Sequence, residues 1–326
     1  MQSSLMNSGE HSNSMNLARM KDQSKGFISL NLLPHFSSCA ILLLSLFYIS
    51  KYTFLNWYPL HPNAFEMYGV FSTKIAVISL LVINLYYIVL YKFKFPFIEQ
   101  FKSNTLPWPW EEDQTKWRSF LKDTVKTYLF NQFLVSPFIF ILFLWAFPPL
   151  TDTESIPSFS TFLKHGLLMM TLEDFSFYWA HRLFHQPTMY RMFHKKHHIH
   201  FNTIYMTSVY SHWLEFALGN VTCMLLGMVL LNGHLHLVTL NAFIVFRLLE
   251  TNEGHSGYDL PWSPFKIFPF STDPSYHNYH HLKNMGNYGS FFKIWDTIFR
   301  TNKEYNIEIA KAENRKDVKV RQGLLF

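Results

Sequence analysis

Two apolar runs, at about 37–57 and 70–93, set the first limit on how this chain can fold. Each is close to the roughly 20 residues that an α-helix needs to cross a bilayer. Inside the hydrocarbon only helices and closed barrels satisfy their own backbone hydrogen bonds. A third run at about 127–149 contains Pro137, where a bend is expected. A fourth apolar helix is expected from near Thr161, and 214–249 has the length of a hairpin of two short spans turning at Asn232-Gly233. Charged residues make up only 15% of the chain, well below the roughly 25% of ordinary soluble domains. The expected fold is an all-α integral membrane protein with about four to six spanning or re-entrant helices.

The segments between the runs have other characters. Residues 1–26 are polar and lack an apolar stretch, so they read as a disordered tail and not as a cleaved signal peptide. Residues 27–160 hold the N-terminal spans. Within them, 102–124 suits a loop and then an interfacial helix, with Trp108, Trp110 and Trp117 at headgroup depth. Residues 161–305 carry the chemistry described below, and 306–326 form a polar tail. After Glu250 the chain turns polar and aromatic, as expected of a water-facing helical cap. The net charge of +6 forms no basic stripe of the kind nucleic acid requires, and suits contact with the anionic cytoplasmic leaflet and membrane lipid instead. Cys39 and Cys223 both lie in apolar runs, which excludes a disulfide framework or a cysteine zinc site. There is no GxGxxG or GxxxxGK[ST] loop.

The chemistry lies in the 17 histidines. Three clusters stand out: His181 and His185; His194, His197 and His198; His277, His280 and His281. On a helix, residues four apart share a face, while adjacent ones diverge by about 100°. An HxxHH box can therefore serve two metal ions at once. Burying these eight imidazoles without a metal would leave sixteen ring nitrogens in need of partners. The pattern points to a dinuclear centre. Imidazole alone suits iron, zinc, copper or nickel. A structural zinc site takes four ligands, and the Glu-x-x-His pattern of soluble di-iron proteins is absent. A metal transporter would set such groups within its spans near the midplane; here they flank the spans. Asp174 and Glu215 are placed to orient a ligating imidazole. Arg182, Lys195 and Lys196 read as solvent or headgroup contacts. Phe201 and the stretch Tyr205–Tyr210 suit either a substrate entry or core packing. His11, His35, His61, His165, His200, His234 and His236 read as non-ligands.

The all-histidine pattern resembles the fatty acid hydroxylase and sterol desaturase superfamily, whose three boxes hold two irons at the cytosolic ends of the spans. Downstream, Arg247-Leu-Leu-Glu250-Thr251, His255-Ser-Gly-Tyr-Asp259, Gly286-Asn-Tyr-Gly-Ser290 and Trp295-Asp296 resemble the sterol C4-methyl oxidases, as does His212-Trp-Leu-Glu215. The resemblance is strong over 165–305 and rests on hydropathy alone before that. It implies ten ligands: the eight box histidines, which are also the catalytic set, with His212 and His255. It further implies two iron ions, O₂ as co-substrate, and electrons from NAD(P)H through cytochrome b5 and its reductase. The implied reaction is stepwise oxidation of a sterol C4-methyl group to alcohol, aldehyde and acid. The implied setting is the endoplasmic reticulum membrane with the site facing the cytosol, in a possible complex with other sterol-biosynthesis enzymes. The boxes alone leave a C5-desaturase, a side-chain hydroxylase or another sterol-dealkylating enzyme open. Tyr276 stands where the family usually carries a histidine, and is expected to serve as a hydrogen-bonding group.

Overall fold

The computed structural model describes residues 32–60, 63, 65–103, 106–268 and 270–311. The expected tail at 1–26 and the chain from 312 onward lie outside the described residues. Among the described residues there are helices and three isolated bridges but no strands. The chain is therefore all-α. Helix α1 spans Leu32–Trp57 and α2 spans Ser72–Phe93, the latter prolonged at its start by a π-helical turn, Phe65–Phe71. Among the described residues, four helical stretches are long and apolar enough to cross a membrane: Leu32–Leu60, Phe65–Phe93, Gln114–Ala146 and Trp213–Leu230. Their outer faces carry large apolar side chains in the open, among them Ile41, Tyr48, Leu81, Leu85 and Trp145. A soluble surface does not expose so much contiguous apolar area.

Two expectations are corrected. The interfacial helix and the third span are one continuous rod: α3 (Gln114–Phe130), a π-helical turn Asn131–Val135 and α4 (Ser136–Ala146). Asp113 starts it, its Oδ1 accepting the Thr115 and Lys116 N–H groups at 2.9 and 3.0 Å. The wide turn precedes Pro137, whose ring would clash with the carbonyl four residues back in a regular helix. Trp108 does not face headgroups. It is 1% exposed and packs against Tyr91, Trp110 and Tyr258 at ring distances of 4.8, 5.5 and 5.3 Å.

The remaining long helices are α5 (Phe159–Phe184), α6 (Cys223–Leu230) and α7 (Leu237–Gly254), followed by α8 (Pro274–Lys283). The expected hairpin over 214–249 is present as the stretch ending in α6, a turn at 231–234, and α7. Helix α7 carries Arg247, Glu250 and Glu253 and α5 carries Lys164, Glu173, Asp174 and Arg182, so neither belongs to the four stretches above, and only the first half of the expected hairpin is long and apolar enough to span. Helices α5 and α6 touch closely because Gly227 has no side chain; a Cβ there would meet Met169 Cγ at 2.7 Å. Leu46, Met169, Leu225, Met228 and Leu240 fill one core between α1, α5, α6 and α7. A second core is aromatic: Tyr87, Tyr91, Tyr205 and Tyr258 stack around Trp108. It holds the N-terminal spans against the corner after α7. Ser103 N–H donates to Gly257 O at 2.8 Å, Asp259 N–H to Phe101 O at 2.8 Å, and Tyr91 O–H to Ser256 O at 2.7 Å. These bonds fix the corner that begins at His255. The expected polar tail from 306 is helical as far as 311.

Trp108→Ala empties the centre of this aromatic core. It should lower stability by about 3–5 kcal/mol, read as a fall in the unfolding midpoint of the detergent-solubilised protein.

Candidate metal centre

Nine of the ten expected histidines come together, in two groups. His181, His185, His194, His198 and His280 form one; His197, His255, His277 and His281 form the other; within each the nitrogens lie within 4.8 Å of one another. Each HxxHH box is divided between the groups. His194 and His198 go to the first and His197 to the second, while His280 goes to the first and His277 and His281 to the second. The local folding differs from the expected α-helical spacing in one place. Residues His194–Ile199 form a short 3₁₀ helix of two turns, entered at Phe193 with φ −126° and left at His200 with φ −109°. His181 lies in the last turn of α5, His185 caps it, His255 caps α7, and α8 carries the third box.

The second ring nitrogen decides what the first can do. His181 Nδ1 lies 3.0 Å from Tyr288 O, His185 Nδ1 3.1 Å from Asn284 O, His280 Nδ1 2.6 Å from Gly286 O, and His255 Nδ1 2.8 Å from Thr251 O. A carbonyl only accepts, so each of these Nδ1 atoms carries the hydrogen and each Nε2 presents a lone pair. His194 Nδ1 lies 2.9 Å from Glu215 Oε1, a close contact that makes no hydrogen bond and so does not fix where this ring carries its hydrogen. His185 Nε2 and His194 Nε2 are nevertheless 2.9 Å apart, as are His255 Nε2 and His277 Nε2, and His280 Nε2 is 3.1 Å from His198 Nε2. The Nε2 atoms of His185, His194, His198 and His280 thus crowd together at 2.9–3.1 Å, and His185 and His280 bring no hydrogen to them. Protonating the rings is no remedy: burial drives His181 down to about 3 and His197 to about 4, and holds His198, His277, His280 and His281 well below the usual range. His281 is fully buried with neither nitrogen hydrogen-bonded. Each such orphan costs about 1–3 kcal/mol, against a total stability of only about 5–15 kcal/mol. Cations, one per group, would take up one inward-facing nitrogen of each ring. The residues fit a pair of metal ions, and an all-imidazole donor set accommodates iron.

The carbonyls come from a loop that a short motif shapes. Asn284, Gly286 and Asn287 have φ of 57°, 69° and 55°. A Cβ on Gly286 would meet Thr301 O at 2.4 Å, so only glycine lets the loop curl tightly there. Asp296 holds the loop by accepting the Tyr288 and Gly289 N–H groups, both at 2.8 Å, and the Tyr276 O–H at 3.0 Å. Tyr276 is thus the hydrogen-bonding group expected, acting on the loop's anchor. Asp174 does not touch an imidazole, contrary to expectation. Its Oδ1 accepts the Phe291 N–H at 2.6 Å and its Oδ2 the Trp295 Nε1–H at 2.7 Å, so it ties α5 to the loop. Glu215 does lie beside His194, as expected.

His212 joins neither group. It caps the short helix Trp213–Glu215, with Nδ1 accepting the Leu214 N–H at 3.1 Å and its ring packed 5.0 Å from Phe193. The expected tenth ligand is replaced by a helix cap. Tyr205 and Tyr210 are buried in the aromatic core, and of that stretch only Ser208 reaches the cavity beside the histidines. That cavity, about 50 Å³, is walled by Phe177, Phe184, Ser208, Arg247, Glu250 and Ser290 with histidines of both groups. Sequence reasoning gave Arg247 and Glu250 no role and passed over Glu173. In the fold, Arg247 Nε donates to Glu173 Oε1 at 2.7 Å and Nη1 to Glu250 Oε2 at 2.6 Å, all three buried. The i,i+3 spacing of Arg247 and Glu250 was the available signal; Glu173 lies on another helix and gave none. Removing one member would strand a buried charge, a cost of about 3–5 kcal/mol.

Glu215→Gln keeps the side chain's shape and replaces the carboxyl beside His194 with an amide. It should weaken metal retention by about 10–100-fold, measured by competition with a chelator, with no change in fold.

A model of the fatty acid hydroxylase family matches residues 166–301, a span that contains all nine grouped histidines. The chain is 33% identical over 215 residues to methylsterol monooxygenase 1 of Danio rerio, covering 65% of this chain and 70% of the relative. It is 34% identical over 172 residues to a C-4 methylsterol oxidase of Schizosaccharomyces pombe, covering 50% of this chain and 57% of that one. It is 38% identical over 177 residues to a very-long-chain aldehyde decarbonylase of Oryza sativa subsp. indica, covering 53% of this chain and 64% of that one. No solved structure matches. With nine histidines in two groups inside the matched span, and a relative of which more than two thirds is covered, the chain belongs to the fatty acid hydroxylase family.

Proposed function

We propose that this protein is a di-iron monooxygenase that oxidises the C4-methyl group of 4-methyl or 4,4-dimethyl sterols. The observation that carries the reading is the pair of convergent histidine groups beside a cavity with both apolar and polar walls. The 33% identity to a methylsterol monooxygenase over 215 residues supports the substrate. His181, His185, His194, His198 and His280 would hold one iron, and His197, His255, His277 and His281 the other. When bound, iron supplies activation of O₂ and attack on an unactivated C–H bond.

The chain's own groups do the rest. The carbonyls of Asn284, Gly286, Tyr288 and Thr251 keep the Nδ1 hydrogens in place, so each ring keeps its orientation. Phe177 and Phe184 offer an apolar wall for a sterol ring. Ser290 Oγ, 3.5 Å from Glu250 Oε2, offers a hydroxyl partner for the sterol's own hydroxyl. Arg247 holds the Glu250 carboxylate at the cavity wall. With no flavin, nicotinamide or haem motif in the sequence, electrons would come from NAD(P)H through cytochrome b5 and its reductase. The setting would be the endoplasmic reticulum membrane, with the histidine-bearing end toward the cytosol. A second reading, action on a long-chain aldehyde, is favoured by the 38% identity to the rice decarbonylase.

One product analysis separates them. Membranes lacking their own C4-methyl oxidase, with working electron donors, would receive this protein or its His194→Ala variant. They would then be given 4,4-dimethyl sterol or long-chain aldehyde under ¹⁸O₂. Labelled 4-hydroxymethyl or 4-carboxy sterol, absent in the variant, is expected. Turnover of the aldehyde alone would give the activity to the second reading, and no turnover of either would remove both.

A further inference from the structure

A second cavity, about 190 Å³, lies away from the histidines between α1, α5 and α7. Leu46, Phe162, Met170, Ala242 and Phe243 are among its walls. No charged side chain lines it, and Thr239 provides its one hydroxyl. Leu167, also on its wall, is 55% exposed, so the cavity opens on the apolar outer surface.

A third, small cavity of about 20 Å³ has walls in common with both this cavity and the one at the metal centre. The intermediate cavity shares Phe268 with the apolar one, and shares Glu250, Gly254, Thr272 and Asp273 with the one beside the histidines. Phe246 stands at the junction, its ring 5.3 Å from Phe265 and 5.6 Å from Phe291. The α7 residues along this line are Thr239, Ala242, Phe243, Phe246, Glu250 and Gly254. They follow the spacing i, i+3, i+4, i+7, i+11 and i+15, which is one stripe on one helix face. At 1.5 Å per residue the stripe is roughly 22 Å long, and it ends next to His255. The stripe changes along its length: apolar at the outer end but for the Thr239 hydroxyl, ringed by phenylalanines in the middle, charged and hydroxylated at the metal end. A fused-ring nucleus with an extended alkyl chain matches that length and that gradient, and a nucleus alone is too short for it.

We infer that the cavity between α1, α5 and α7 is the seat of the substrate's alkyl tail, with Phe246, Phe265, Phe268 and Phe291 packing on the ring system between tail and metal centre. The head at the metal end rests on the sterol reading above; the tail seat does not. An alkyl tail has no polar group to satisfy, so the seat selects by volume, each buried methylene changing affinity about fourfold. Gly166 is the position to test, because a Cβ there meets nothing within 4 Å and the space ahead of it is the cavity. Leucine also favours a helix more than glycine does, so Gly166→Leu fills the seat without endangering the fold.

The test is photolabelling of the metal-loaded protein in membranes, with a 4-methyl sterol carrying a diazirine at the end of its alkyl tail. Label is expected on peptides containing 162–170 and 239–246, reduced about tenfold in Gly166→Leu. For turnover, Gly166→Leu should raise KM about tenfold for the full-length sterol and leave it unchanged for the same sterol without its tail. Label elsewhere, or label and KM indifferent to Gly166→Leu, would overturn the tail seat. Label at these peptides without C4 oxidation would uphold the seat and sink the sterol reaction.

Discussion

Everything in this fold answers to a row of hydrogen bonds in which backbone carbonyls hold the Nδ1 hydrogens of buried histidines. Those bonds turn the Nε2 lone pairs inward, where they repel one another unless a cation stands among them. Imidazole rings can swivel freely, and a ring that swivels is a poor ligand. Here His181, His185 and His280 are pinned by three carbonyls of one short loop, and His255 by the last turn of α7. The residues fit a metal ion in each group, since unpartnered buried nitrogens such as those of His281 each cost about 1–3 kcal/mol.

The elements outside the site can be understood as supports for that loop and that turn. Asp174 on α5 and Asp296 after the loop clamp it from both sides through backbone N–H groups. The ion pairs of Arg247 join α5 to α7 just beneath the histidines. The aromatic stack around Trp108 ties the N-terminal spans to the His255 corner, so those spans support the centre as well as anchoring the chain. The same α7 that ends at His255 presents its other positions to the apolar cavity, which places membrane-facing volume and metal chemistry along one rod.

Much of this was legible in the chain. Hydropathy located the spans because bilayer thickness fixes helix length, and the three boxes located eight of the nine grouped histidines because ligand spacing is local. His255 was found only through the motif around it. What sequence could not supply is whatever depends on contacts between distant segments. His212 has the right residue type and a suggestive neighbour in Glu215, yet its Nδ1 caps a helix. Asp174 was read as an imidazole partner, but its bonds go to a loop more than a hundred residues away. The merging of interfacial helix and third span was hidden because charged residues 116–126 break the apolar pattern without breaking the helix. Trp108 looked interfacial by residue type and is enclosed by residues from three separate segments.

The central claim is that the two histidine groups are two metal sites. Metal content of the purified wild-type protein and of His281→Ala, by elemental mass spectrometry, tests it most directly. One ion for each group, hence two per wild-type chain, is the predicted result, with about half that content left in His281→Ala because only the group of His197, His255 and His277 is broken. One ion per wild-type chain, or a variant that keeps its full content, would contradict the account.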